Sequence, residues 1–117
     1  MSLKFPKSER LKSRKLIEQL FSEGKSISKF PVKMFYLPVE ELERTQATFA
    51  VPKRNFKLAV TRNRIKRQMR EAYRLHKHLL SDSNGKTFAL LFLYISKNKP
   101  KYATLDTALG KLLKATP

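Results

Sequence analysis

The stretch "FALLFLYI", Phe88 to Ile95, is short, partly aromatic, uninterrupted by charge and flanked by polar turn residues. It reads as a β-strand buried on both faces, because side chains of either parity along it are apolar. The rest of the chain supplies elements of two other periods. Leu16, Ile17, Leu20 and Phe21 form one face of a helix expected over Arg14–Ser22, with Ser13 as N-cap and Gly24 ending it. "VKMFYL", Val32 to Leu37, alternates between Pro31 and Pro38 and reads as a strand. "PVEELER" holds acids without apolar periodicity and reads as the connection of a hairpin, whose returning strand is Thr45–Val51, stopped by Pro52.

From Leu58 the period changes. Ile65, Met69, Ala72, Tyr73, His76 and Leu79 recur every three or four residues, which predicts a long helix to about Leu80. "SDSNGK", residues 81–86, is a turn cluster, and Thr104 is expected to cap a last helix whose face is Leu105, Ala108, Leu109 and Leu112. The order helix, strands, helix, strand, helix gives an α+β sandwich. With 117 residues the chain is one domain's worth, with residues 1–10 expected as a loosely ordered arm.

Charge then narrows the function. Lys and Arg outnumber Asp and Glu by 26 to 9, a net +17, while 41% of residues are hydrophobic, enough for a folded core. Such self-repulsion is tolerable where a polyanion is the partner: nucleic acid first, an acidic membrane surface second. No cysteine is present, which removes disulfides and thiolate chemistry and fits a reducing compartment, so the cytoplasm is the expected location. The longest apolar run is far short of the roughly 18 to 20 residues that span a bilayer. "MSLKFPKSERLKSRK" has no apolar signal core, so secretion is not expected.

The charge is concentrated in "TRNRIKRQMREAYRLHKHLL", Thr61 to Leu80, where five Arg and two Lys face a single acid, Glu71. At about 100° per residue, Ile65, Met69, Ala72, His76 and Leu79 fall in one arc. Asn63, Lys66, Arg67, Arg70, Arg74 and Lys77 fill the opposite one. A solvated face is the ordinary reading of such a stripe, but the usual admixture of acids is missing. Like charges four apart, as in Lys66 and Arg70 or Arg70 and Arg74, weaken a bare helix, and Arg62 and Arg64 sit where the macrodipole is already positive. A bound phosphate would reverse both penalties. Asn63 can read a base edge or a 2′-hydroxyl, or serve as a capping residue. A membrane-surface helix would want bulky aromatics on the face that the core here requires.

"KLAVTRNRIKRQMREAYR", Lys57 to Arg74, resembles the signature of the bacterial ribonuclease P protein subunit, with its Arg-Asn-Arg core. "RLKSRKLIEQLFSEGK", "FAVPKR" and the later strand and helix extend the resemblance over nearly the whole chain. The family implies a two-layer αβββαβα domain with a four-stranded sheet and a left-handed β-α-β crossover. It also implies a protein that joins a catalytic RNA to remove the 5′ leader of precursor tRNA. Arg62, Asn63, Arg64, Lys66, Arg67, Arg70 and Arg74 would then contact the RNA subunit. Ile17, Phe21 and Phe35 would line a cleft for the single-stranded leader, with Lys53 and Arg54 along its phosphates. Ile17 departs from a common Phe and loses a ring that could stack on a base. For Phe21 and Phe35, plain core packing is the competing reading.

The resemblance further implies that Mg2+ is held mainly by the RNA, that the free protein is a monomer, and that one protein joins one RNA. Protein-based phosphodiester hydrolysis would need clustered carboxylates or a facing His pair. The acids are dispersed, and His76 and His78 are two apart on a helix, so no catalytic residue is expected on the chain. A ribosomal type of structural RNA-binding protein and a stand-alone nuclease are the alternatives.

Overall fold

The computed structural model describes residues 9–39, 44–77 and 87–115. Its elements are α1 (Arg14–Ser22), β1 (Lys25–Lys29), β2 (Val32–Pro38), β3 (Gln46–Ala50), α2 (Ala59–His76), β4 (Phe88–Tyr94) and α3 (Tyr102–Ala115). The strands form one sheet in the order β1-β2-β4-β3, antiparallel except for the parallel pair β3 and β4. This is the αβββαβα order and the four-stranded sheet that the resemblance implies.

Strand β4 lies inside the sheet and is covered on both faces, as its composition requires. Phe88, Leu90, Phe92 and Tyr94 join Val32, Met34, Tyr36 and Ala47 in a main core closed by Ile65, Met69, Tyr73, Leu109 and Leu112. Phe92 stacks on Phe49 at 5.4 Å, and Tyr73 meets Phe92 at 5.5 Å. Ala89 and Leu91 point the other way, into a smaller cluster with Leu11 and Leu20. Helices α2 and α3 therefore make the main layer on one face, and α1 covers part of the other.

The expected hairpin between Val32–Leu37 and Thr45–Val51 does not form, because β4 lies between β2 and β3. A strand apolar on both faces gains most from a partner on each side. Strand β3 then pairs with it in parallel, so α2 is needed as the crossover. The hairpin partner of β2 is instead β1, "KSISK", reached through a two-residue turn at Phe30 and Pro31 with Lys29 opposite Val32. This edge strand carries no hydrophobic alternation beyond Ile27, which packs against the main core, so periodicity passes over it. Residues 40–43 of the supposed hairpin connection lie outside the described residues.

Local signals at α1 hold. The Ser13 hydroxyl accepts the Leu16 amide at 3.3 Å, and the Gly24 amide donates to the Leu20 carbonyl at 3.1 Å. A Cβ on Gly24 would sit 2.4 Å from that carbonyl oxygen, so the turn into β1 needs glycine. Helix α3, by contrast, begins at Tyr102, and the Lys101 carbonyl accepts the amides of Thr104 and Leu105, so Thr104 lies within the first turn and is not the cap. The expected end of α2 at Leu80, with His78 and Leu79, falls outside the described residues, as do residues 1–8 of the arm. Next to them Glu9 accepts from Lys77 Nζ at 2.9 Å, and the Leu11 amide donates to the Ala47 carbonyl at 2.9 Å.

Leu20 is fully buried where α1 meets the sheet. Leu20→Ala should lower unfolding free energy by about 2 to 5 kcal/mol in urea titration. A change within error would mean that α1 is not docked as described.

Candidate nucleic-acid interface

Helix α2 has its N-cap at Leu58, with no side-chain capping bond and no acid in its first turn. Its inward face is Ile65, Met69, Ala72 and Tyr73, all buried. Burial pushes the Tyr73 phenol above its usual range, so this face stays uncharged. On the outward face Asn63, Arg64, Arg67 and Arg70 are exposed and Lys66 is half-buried. Among the described residues none of these five side chains has a hydrogen-bond or ion-pair partner. Asn63 is the fifth residue of the helix, which excludes the capping role and leaves its amide free for a ligand.

Two arginines assigned with these five are engaged within the protein. Arg62 Nη1 donates to the Phe56 and Lys57 carbonyls, each at 2.8 Å. It thereby ties the β3–α2 loop to the first turns of the helix and acts as a positioning residue. Arg74 makes a two-pronged pair with Glu71, with Nε to Oε2 at 3.2 Å and Nη2 to Oε1 closer still. That guanidinium holds the Glu71 carboxyl below its usual range, and the pair offsets one charge of the stripe. The free cationic surface is therefore the N-terminal two-thirds of α2. The half-buried His76 lies at the edge of the α2–α3 contact, where Nε2 donates to Asp106 Oδ1 at 2.8 Å.

On the opposite face of the sheet, Phe21 of α1 meets Phe35 of β2, with ring centroids 5.1 Å apart at 58°. Phe21 is 57% exposed, which sets aside plain core packing for it. Phe35 is half-buried, and Lys33 Nζ sits 5.1 Å from its ring centroid. Ile17 is half-buried in the same cluster. The structure thus brings Ile17, Phe21 and Phe35 to one partly open apolar surface, and adds Lys33, which the sequence reading left unassigned. That Lys33 and Phe35 are two apart on a strand and share a face was the available signal.

Lys53 and Arg54 are exposed in the loop between β3 and α2, which Phe56 anchors by packing on Tyr94 at 5.9 Å. Arg54 lines an open hollow of 600 Å3 with Asn55, Ile95 and Lys97. Lys97 follows β4 in sequence and meets Arg54 only because β3 and β4 run parallel and end together. A narrower hollow of 270 Å3 separates Arg64 and Gln68 from Lys99 and Pro100. Neither lysine carried a sequence signal, since both lie in a polar connection.

Known proteins of the same sequence pattern and fold show the family. The family model described as Ribonuclease P matches residues 5–116. The ribonuclease P protein component of Porphyromonas gingivalis is 38% identical over 112 residues, covering 92% of this chain and 82% of that protein. Its counterpart in Chlorobium phaeobacteroides is 35% identical over 122 residues, covering 92% and 84%. The RNase P protein structure from Thermotoga maritima shares the fold at a TM-score of 0.77 and 24% identity, covering 93% of this chain and 98% of that one. One from Staphylococcus aureus does so at 0.76 and 20%, covering 91% and 93%. With the family model matched along almost its whole length, and relatives above one-third identity over nine-tenths of it, the chain belongs to the ribonuclease P protein family.

Proposed function

We propose that the protein is the RNA-binding subunit of a ribonuclease P holoenzyme, holding a catalytic RNA on α2 and the 5′ leader of precursor tRNA on the α1 face. The observation that carries this reading is the unpaired set Arg64, Lys66, Arg67 and Arg70 on a helix whose other face is core. Guanidinium forks suit bidentate phosphate contact, and Asn63 among them offers a donor and an acceptor for a base edge or a 2′-hydroxyl. Exposed Phe21, with Phe35 and Lys33, offers stacking surface and charge, the combination that takes single strands without strict sequence preference. Ile17 contributes apolar contact but no ring, while Lys53 and Arg54 follow the leader's phosphates.

Hydrolysis is assigned to the RNA and to the Mg2+ it holds. Of the described acids, Glu9 pairs with Lys77 and Arg44, Glu71 with Arg74 and Asp106 with His76, while Glu18 and Glu23 stand exposed on and just after α1. The protein's part is to neutralise backbone charge, which lowers the Mg2+ that the RNA needs to fold and react, and to hold the leader so that the scissile bond is positioned. Among the described residues no helix is long and apolar enough to cross a membrane. The reading places the protein in the cytoplasm, monomeric when free and one to one with its RNA.

Purified protein alone should leave precursor tRNA uncut, yet reduce the Mg2+ and salt required by its cognate RNA; cleavage by RNA-free protein would overturn the assignment. Arg67→Ala should weaken RNA-subunit binding and flatten its log–log salt slope by roughly 0.7 to 0.9 per lost phosphate contact. An unchanged slope would remove that side chain from the interface. Phe21→Ala should reduce affinity for precursor over mature tRNA by about 5-fold or more if one base is unstacked. Equal losses for both substrates would contradict a leader site there.

A further inference from the structure

Among the described residues Phe21 and Phe30 are the exposed aromatic rings, and neither the core nor the proposed leader surface explains the exposure of Phe30. It is 73% exposed in the turn between β1 and β2, a place where small polar residues usually stand. Its ring borders an open groove of 480 Å3 against α3, lined also by Lys29, Thr104, Thr107 and Lys111. Among the described residues no acidic side chain lines this groove.

We infer that the groove is a second contact for the catalytic RNA, in which one unpaired base stacks on Phe30 and the adjoining phosphates lie against Lys29 and Lys111. This rests on the RNA-binding reading above and extends it to a surface that the α2 motif does not include. A single-stranded nucleotide repeats the two chemistries present here, a π-face and an anion, and stacking on an aromatic ring tolerates any base. The hydroxyls of Thr104 and Thr107 border the same groove, and the Thr107 hydroxyl, which donates to the Ala103 carbonyl at 3.0 Å, keeps lone pairs for a ribose donor. An acidic protein segment would match the lysines but leave the ring without a planar partner.

Placement chooses between the two RNAs. Ile27, the inward residue of β1, packs against the main core, and the groove's far wall is α3, which covers that same face of the sheet. Phe21 and Phe35 lie on the other face. A leader held there is on the wrong side of the sheet to reach Phe30, whereas an RNA lying along α2 has α3 as its neighbour.

The test compares equilibrium binding of the full chain, wild type, Phe30→Leu, Phe30→Trp, Lys111→Gln and Arg67→Ala, to its cognate catalytic RNA. Phe30→Leu should weaken binding by about 5-fold or more with an unchanged salt slope, while Phe30→Trp stays within about 2-fold. Lys111→Gln should weaken binding and reduce the slope by roughly 0.7 to 0.9. Discrimination between precursor and mature tRNA by the reconstituted holoenzyme should not move in any of the Phe30 or Lys111 variants. Wild-type binding by Phe30→Leu, or equal losses in Leu and Trp variants, would overturn the stacking site. If Arg67→Ala is weakened while Phe30→Leu is not, the groove assignment fails and the α2 reading stands. If wild type itself does not bind the RNA, both fail.

Discussion

Two-sided burial of β4 is the constraint on which the rest of the molecule depends. Leu90 and Phe92 need helices on one side of the sheet, and Ala89 and Leu91 need cover on the other. Because β3 joins β4 in parallel, the connection between them must cross over, and α2 is that crossover. One stripe of α2 is thereby committed to the core. Its other stripe is forced outward, and so are its charges. α1 covers only part of the second face, which leaves Phe21 and Phe35 in contact with solvent. Two chemically different surfaces on opposite faces follow from one apolar strand.

The outward stripe is maintained against local electrostatics. Helix α2 starts without a capping side chain or an acid, and its cations repel along the i to i+4 direction. What holds it is tertiary packing, with Met69 and Ala72 fully buried and Tyr73 packed at a steep angle against the stacked rings of Phe49 and Phe92. Arg62 serves the same end by closing the preceding loop on its carbonyls. Anion binding would relieve a repulsion that the core otherwise bears, so RNA binding and stability are linked in sign.

Much of this was legible in the sequence, and the misses have physical causes. Elements with strong periodicity, α1, β2, α2 and β4, stand close to where their patterns place them. Pairing was not legible, because alternation tells which face of a strand is buried and says nothing of its neighbours; hence β2 was given β3 as partner in place of β1. Strand β1 has one inward apolar residue, too few for a pattern. In the site, the wheel separated the two stripes of α2 correctly but could not tell free guanidiniums from engaged ones. Arg62 finds its carbonyls only once the loop at Phe56 is folded back, and Lys97 meets Arg54 only across the ends of parallel strands. Phe21 could be read as core or as ligand surface until its exposure was known.

The central claim is that the two faces of one sheet hold two different RNAs. Photocrosslinking tests it directly, with a photoreactive amino acid at position 67 or at position 21 of the full chain in the assembled holoenzyme bound to precursor tRNA. The account predicts that position 67 crosslinks to the catalytic RNA and position 21 to the leader, each with little label on the other. Both positions labelling the same RNA, or the reverse assignment, would contradict it.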